Sequence, residues 1–188
     1  MRFKQFSAVM VAVVFSFLAL ASFAQDSKKD PNVGGAQMYP TKNIVENAAN
    51  SKDHTTLVAA VKAAGLVDTL SGPGPFTVFA PTNEAFKALP AVTVDTLLKS
   101  ENKDQLKKIL TYHVVAGTMD SKAIKKAIKE GGGKATLTTV EGGTLTASMK
   151  GGKLMLTDEK GGTATVTIKD VYQSNGVIHV VNAVLMPN

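Results

Sequence analysis

The sequence predicts an α+β domain, because apolar residues follow two different patterns in different parts of the chain. Between about residues 41 and 130 they recur every three or four positions, which is typical of amphipathic helices. From residue 134 onward they alternate with polar residues, and glycine pairs separate the alternating runs, as in antiparallel hairpins. One short apolar run near residue 76 is expected to form an early strand. Helices followed by antiparallel strands indicate the α+β class.

The predicted helices begin at residues that commonly cap helices, because their side chains accept hydrogen bonds from free backbone N–H groups. In chain order, the expected caps are Thr41, Asp53 or Thr55, Thr82 or Asn83, Asn102, and Asp120 or Ser121. The last helix carries Ile124 and Ile128 on its apolar face and should end at the glycines of residues 131–133. Between the helices, residues 76–80 form the early strand and residues 112–115 are expected to be extended.

Five extended runs are predicted in the last third of the chain. They cover residues 135–140, 144–149, 153–157, 164–171 and 177–186. The glycine pairs between the first four favour tight turns, so these runs should form a meander of hairpins. The last run is apolar at nearly every position, and a strand that is buried on both faces lies inside a sheet. We therefore expect it to be a central strand.

The N-terminus has the pattern of an export signal. Arg2 and Lys4 precede an apolar run over residues 8–21, and small residues follow it. This pattern predicts a signal peptide over residues 1–24, with cleavage after the last of them. The alternative is a retained membrane anchor, because the uncharged stretch over residues 5–25 is just long enough to span a bilayer.

Residues 25–40 are polar, contain proline and glycine, and show no apolar period, so they are predicted to be a flexible linker. Residues 41–188 then form one domain, which is large enough to bury about two-thirds of its unfolded surface without disulfides. The sequence of 188 residues contains no cysteine. Export places the mature protein outside the cell or in the periplasm, and cleavage leaves no integral membrane span.

The charge of the chain argues against nucleic acid as a partner. The net charge is +6, and removal of Arg2 and Lys4 with the signal lowers it to +4. Every remaining cation is then a lysine, and the chain has no tryptophan. Base and phosphate recognition favours the bidentate fork of arginine, and single-strand binding favours stacked aromatic rings. We therefore expect no nucleic-acid partner.

The sequence carries no recognised catalytic motif, so we predict that the protein is not an enzyme. It has no nucleophile elbow, no zinc-protease pair of histidines and no dinucleotide-binding glycine motif. His54 stands at a predicted helix start and is expected to face solvent or to lie beside the helix cap. His113 and His179 interrupt apolar segments, so they, together with Asn182, are expected to be buried polar side chains with hydrogen-bond partners. No metal or cofactor is predicted, because a metal site needs three or four converging ligands.

Three segments resemble conserved parts of the fasciclin-like domain. They are TVFAPTNEAF at residues 77–86, LTYHV at residues 110–114 and VIHVVNAVLMP at residues 177–187. The resemblance covers about residues 41–187. It implies a β-wedge of two packed, mainly antiparallel sheets with helices along one side.

The same resemblance implies an extracellular adhesion or surface-interaction module. In animal members a Tyr-His pair and an Asp-Ile pair are linked to receptor binding, and here these positions hold Tyr112, His113, Asp170 and Val171. The alternative for Tyr112 and His113 is a buried packing pair. The implied partners are a cell-surface or matrix protein, an acidic polysaccharide or a second copy of the chain. Because some relatives bind pigments, the alternative function is a carrier that holds a hydrophobic small ligand, a pigment or a lipid, between sheet and helices.

One predicted helix has a basic face. Its lysines recur at intervals of three and four residues, opposite the apolar stripe, and are Lys122, Lys125, Lys126 and Lys129. Such a face can attract an acidic polysaccharide, anionic lipid headgroups or a partner protein. The alternative is a solvated helix exterior, since charged residues are mostly exposed.

Overall fold

The computed structural model describes residues 30–89, 94 and 96–188. The predicted signal peptide and residues 25–29 of the predicted linker lie outside the described residues. Among the described helices, none has the length and apolarity needed to cross a membrane.

Helices occupy the first two-thirds of the described chain, as predicted. They are α1 (Ile44–Asn50), α2 (Thr55–Ala63), α3 (Val67–Ser71), α4 (Asn83–Lys87), α5 (Lys103–Tyr112) and α6 (Ser121–Glu130). Turns of 3-10 helix at Lys52–His54 and Ser100–Asn102 precede α2 and α5. The predicted caps at Thr82 and Asp120 are confirmed, because each side chain accepts a hydrogen bond from the backbone three residues later.

Other helix starts differ from the prediction. Asn43, not Thr41, caps α1: its side chain accepts from the backbone of Glu46, whose carboxylate accepts from the backbone of Asn43. Asn102 does not cap α5 and instead donates its side-chain amide to the carbonyl of Thr96 at 2.8 Å. The 3-10 turn that ends at Asn102 gives it a backbone conformation outside the extended region that a capping residue needs.

The strands form a small hairpin and one large mixed sheet. They are β1 (Asn32–Val33), β2 (Ala36–Gln37), β3 (Phe76–Pro81), β4 (Val114–Ala116), β5 (Lys134–Thr138), β6 (Thr144–Lys150), β7 (Lys153–Thr157), β8 (Thr163–Gln173) and β9 (Gly176–Val181). The large sheet has the order β4-β3-β9-β8-β7-β6-β5. Only β3 and β9 are parallel; the other neighbours are antiparallel, and β9 is the central strand that the sequence predicts.

The large sheet bends at β8 and nearly closes on itself. The register between β8 and β9 shifts twice, and Asp170, at the second shift, has a φ of 59°. An isolated bridge between Val115 and Thr139 joins the two ends of the sheet. The bend separates two apolar cores, one beneath α1, α2 and α5, and the other between α6 and strands β5 to β8. The fold is therefore the α+β wedge that the resemblance implies.

Part of the predicted linker is folded. Val33, in β1, and Met38, directly after β2, are 3% and 2% exposed and belong to the first core. The backbone of Lys52 donates to the carbonyl of Gly34 at 3.1 Å, which ties the hairpin to the 3-10 turn before α2. Two isolated apolar residues among polar ones leave no period to detect, so the sequence pattern did not reveal this packing.

Two further boundaries differ from the prediction. Tyr112 completes the last turn of α5, and the strand begins only at Val114. The last strand ends at Val181, five residues before the predicted end. After it the chain leaves the sheet, although Leu185 is fully buried.

Candidate functional site

Helix α6 presents its lysines to solvent. Ile124 and Ile128 are 0% and 5% exposed and pack in the second core, which holds the opposite face of the helix against β5 and β6. The outward positions are all exposed and are Lys122, Lys125, Lys126 and Lys129. We call this set the lysine face.

The lysine face keeps most of its positive charge. Within the described residues its one ion pair joins Lys126 to Glu130 across 3.8 Å, and both side chains are more than 60% exposed. Exposed pairs of this kind contribute at most about 1 kcal/mol and are screened by salt. The other lysines of the face form no ion pair among the described residues.

Two carboxylates hold the N-terminus of α6. Asp120 accepts from the backbone of Ala123 at 2.7 Å, and this hydrogen bond lowers the pKa of the Asp120 carboxyl. Asp170 of β8 accepts from the backbone of Ser121 at 2.6 Å and from its hydroxyl at 2.5 Å. Negative charge stabilises the positive end of a helix dipole. Asp170, a predicted interaction residue, therefore uses its carboxylate to position α6, which we also call the lysine helix.

His179 contacts the segment that holds the N-terminus of α6, the clamp formed by Asp120 and Asp170. Its ring is fully buried, stacks on Phe79 at 5.6 Å between centroids, and accepts at Nδ1 from the backbone of Asp170 at 3.3 Å. Nε2 then carries the proton and donates to the carbonyl of Met119 at 2.9 Å. Burial lowers the pKa of His179, so the neutral ring is favoured. The Ser121 hydroxyl bonds to Asp170, so Ser121, Asp170 and His179 do not form the serine–histidine pair of a nucleophile and its base.

Tyr112 is enclosed within the second core. It is 0% exposed, and its hydroxyl donates to the carbonyl of Thr144 at 2.6 Å and accepts from the backbone of Glu159 at 3.2 Å. Burial raises the pKa of Tyr112 to about 12. The side chain therefore links α5 to two hairpin turns of the sheet.

His113 fixes the C-terminal segment. Nε2 accepts from the backbone of Leu185 at 3.0 Å, so Nδ1 carries the proton and donates to the carbonyl of Ile109 at 2.8 Å. Burial lowers the pKa of His113 to about 4. Tyr112, His113 and Val171 are at most 2% exposed. This burial contradicts the prediction of these three side chains as an interaction surface and confirms the alternative prediction of a buried packing pair for Tyr112 and His113.

Two polar residues occupy positions opposite to those predicted. His54 is buried at 3% exposure, its Nδ1 lies 2.9 Å from the Ser51 hydroxyl, and burial lowers its pKa. The docked β1–β2 hairpin covers it. Asn182 is exposed rather than buried, because the chain leaves the sheet after Val181; its side-chain oxygen accepts from the backbone of Thr165 at 2.7 Å.

The structure also contains an apolar cavity of about 30 Å³. It lies between α1, α2, β3 and the end of α5, and His113 is among its lining residues. In the described part of the chain, no three His, Cys, Asp or Glu side chains converge in a way that could hold a metal ion.

Sequence reasoning missed one exposed aromatic side chain. Tyr172 is 40% exposed and lies between Val171 and Gln173, both of which are buried. The alternation of β8 could not have revealed it, because the buried side chains stand at even positions up to Val166 and at odd positions from Val171. The two register shifts between them reverse the phase of the strand.

Comparison with known proteins identifies close relatives. The Fasciclin domain profile matches residues 52–187. Protein sll1483 of Synechocystis sp. is 46% identical over 187 residues, which cover 94% of this chain and 97% of that protein. Cell surface glycolipoprotein MPB83 of Mycobacterium bovis is 35% identical over 170 residues, which cover 87% of this chain and 70% of that protein.

The fold also matches a solved structure of a FAS1 domain pair from the insect cell adhesion molecule Fasciclin I. The TM-score is 0.70 at 18% sequence identity, and the match covers 77% of this chain and 51% of the other. The chain thus spans about half of that two-domain chain.

Proposed function

This chain belongs to the fasciclin domain family, and we propose on that premise that it is an exported adhesion or surface-interaction module without catalytic activity. Its similarity to a cell surface glycolipoprotein and to a cell adhesion molecule supports this function. The predicted signal over residues 1–24 is consistent with export to the periplasm or the cell exterior.

We further propose that the lysine face is the contact surface. The observation that carries this proposal is four exposed lysines on one rigidly held helix, with one exposed acid beside them. Their positions span about two helical turns, or roughly 10 Å. Charges at this spacing act together on a polyanion and are screened over about 8 Å at physiological ionic strength. The favoured partner is an acidic polysaccharide of the cell surface or matrix.

Neutralising the lysine face is expected to abolish binding to an acidic polysaccharide. The variant changes Lys122, Lys125, Lys126 and Lys129 to Gln, which is a good helix former and leaves the buried isoleucines intact. Binding to alginate, measured by calorimetry at low salt, should disappear, and wild-type binding should weaken steadily as salt is added. The melting temperature should stay nearly unchanged, because the substituted side chains are exposed.

A matched control removes the same charge elsewhere. Its substitutions replace the exposed lysines Lys62, Lys99, Lys103 and Lys107 with Gln. This control should retain most of the alginate binding. Equal loss in both variants would show that only net charge matters, and equal retention would show that the lysine face is a solvated exterior.

The alternative function, a carrier of a hydrophobic ligand, has less support. The apolar cavity between sheet and helices has a volume of about 30 Å³. Sites for ligands of drug size enclose about 300–1,000 Å³, so a pigment would require α1 and α2 to move apart. The adhesion module requires no such rearrangement.

A further inference from the structure

A second surface feature lies at the β8–β9 turn, beyond the N-terminal end of α6. It is an open pocket of about 440 Å³. Its wall and rim are formed by Pro73, Pro75, Thr118, Tyr172, Ser174 and Gly176. The volume falls within the range of small-ligand sites, about 300–1,000 Å³.

The floor of this pocket is rigid. A Cβ atom on Gly74 would lie 2.0 Å from the carbonyl oxygen of Asn175, and one on Gly176 would lie 2.0 Å from that of Phe76. The backbone segments are therefore packed directly against each other. The amide of Asn175 donates to the carbonyls of Leu70 and Gly72 at 2.8 and 3.0 Å, which ties the turn to the end of α3. The pocket is thus formed before any ligand arrives.

Tyr172 supplies a fixed aromatic wall. Its hydroxyl donates to Asp120 at 3.1 Å, and the same carboxylate caps α6. The ring is held at its far end while 40% of the side chain remains exposed. An aromatic side chain that is already ordered loses little conformational entropy when a ligand binds. Burial, together with the nearby Asp120 carboxylate, raises the pKa of Tyr172, so the ring stays neutral at physiological pH.

The chemistry of the lining selects the ligand. An aromatic ring packs well against the C–H face of a sugar ring, and the exposed side chains of Thr118 and Ser174 offer hydroxyl groups at the rim. No lysine lines the pocket, and the carboxylate of Asp120 lies beside it, which disfavours an acidic ligand. Proline-rich peptides usually dock in grooves lined by several aromatic rings, whereas this pocket has one. We propose that the pocket at Tyr172 binds a neutral saccharide, independently of the lysine face.

Nuclear magnetic resonance titration tests this site directly. The ¹⁵N-labelled protein is titrated with neutral hexasaccharides of glucose, mannose and N-acetylglucosamine. At least one of them should shift the amide signals of Thr118 and residues 172–176, with a dissociation constant on the order of 1 mM, which is typical of a weak and shallow site. Tyr172→Ala should weaken this binding at least about tenfold, the effect of losing about 1.4 kcal/mol.

Three further variants separate ring stacking from other effects. Tyr172→Phe keeps the ring and should bind within about threefold of wild type, which is less than 1 kcal/mol. Tyr39→Ala is the matched control, because Tyr39 is also 40% exposed but lies outside the pocket. It should bind as wild type does. Thr118→Val removes a rim hydroxyl at nearly constant size and should weaken sugar binding.

Several results would overturn the proposal. They are the absence of any shift at the pocket with all three saccharides, equal binding by Tyr172→Ala and Tyr39→Ala, and Tyr172-dependent binding of a decaproline peptide without saccharide binding. The quadruple lysine variant should bind saccharide as wild type does. The alginate experiment and the saccharide experiment therefore test the two proposals separately, and either proposal can fail without the other.

Discussion

His113 and His179 are both neutral and buried, yet they carry their proton on opposite ring nitrogens. His113 accepts at Nε2 from the backbone of Leu185, whereas His179 donates from Nε2 to the carbonyl of Met119. A second proton on His113 would point an N–H group at another N–H group. Each ring is thus matched to the backbone around it, and its replacement leaves buried backbone groups without partners.

Removal of the His179 ring should lower the free energy of unfolding. His179→Ala leaves the carbonyl of Met119 without its donor and removes the stack on Phe79. A buried group that loses its partner costs about 1–3 kcal/mol. Urea unfolding at neutral pH measures this loss. The exposed substitution Lys107→Ala is the control and should change stability by less than about 0.5 kcal/mol. A loss for His179→Ala no larger than that of the control would contradict the assignment.

At this scale the sequence predicts only what neighbouring residues reveal. His113 and His179 could be placed inside the fold because apolar residues surround them along the chain. His54 could not be placed there, because its burial depends on segments that are remote from it in the chain. These are the earlier β1–β2 hairpin and later strand residues such as Ala80 and Ile178. Asn182 follows six buried strand residues, so the pattern predicts burial, but the strand ends just before it.

The lysine helix is the element that the sequence predicts best. Its cap at Asp120, its buried isoleucines and its exposed lysines all follow from positions within ten residues of one another. The clamp by Asp170 does not, because Asp170 lies 49 residues from Ser121. A contact of that separation depends on how β8 bends, and no local pattern encodes the bend.

Loss of the Asp170 charge should loosen the start of α6. Asp170→Asn keeps a residue type that tolerates the φ of 59°, so the change tests the carboxylate rather than the backbone. We expect a loss of about 1 kcal/mol, within the range of capping and helix-dipole effects. Amide hydrogen exchange at Ser121 and Lys122 should accelerate by roughly fivefold, as a loss of that size implies.

The backbone at Asp170 provides a second comparison. Asp170→Ala removes the carboxylate and also places a residue with a Cβ and no local hydrogen bond in the left-handed region, which costs about 1–2 kcal/mol more. Asp170→Ala should therefore be less stable than Asp170→Asn. Equal exchange rates at Ser121 in wild type and both variants would show that Asp170 does not position the lysine helix.

For the whole molecule, the sequence predicts the class of fold and the meander but not the closure of the sheet. The alternation between glycine pairs identifies β5 to β8 because neighbouring strands pair locally. The parallel pairing of β3 with β9 joins residues about 100 positions apart, such as Phe79 and His179. The continuous apolar run of each strand shows that it is buried but not which strand lies beside it. No local pattern therefore predicts the closure of the sheet or its division into two cores.

Acid should destabilise the whole fold through its buried histidines. Burial lowers the pKa of His113 to about 4 and also lowers the pKa of His54 and of His179 from the ordinary value of 6.5. Below pH 6.5 the histidines take up protons in the unfolded chain but not yet in the folded chain. Their contribution to the free energy of unfolding is therefore fully present above pH 6.5 and is lost as the pH decreases towards 4. His113 alone should account for a loss of about 3 kcal/mol by pH 4. Urea unfolding between about pH 7.5 and about pH 4.5 measures the fall. At the lower end of this window the carboxyl group of Glu159 also takes up protons in the unfolded chain, where its pKa has the ordinary value of 4.5, so the histidine contribution is read from the difference between wild type and a histidine variant. His113→Gln is the internal control: it should be less stable than wild type at pH 7.5 but lose less stability on acidification. A free energy of unfolding that stays constant down to pH 4.5 would mean that the three rings accept protons inside the fold, which their buried surroundings should prevent.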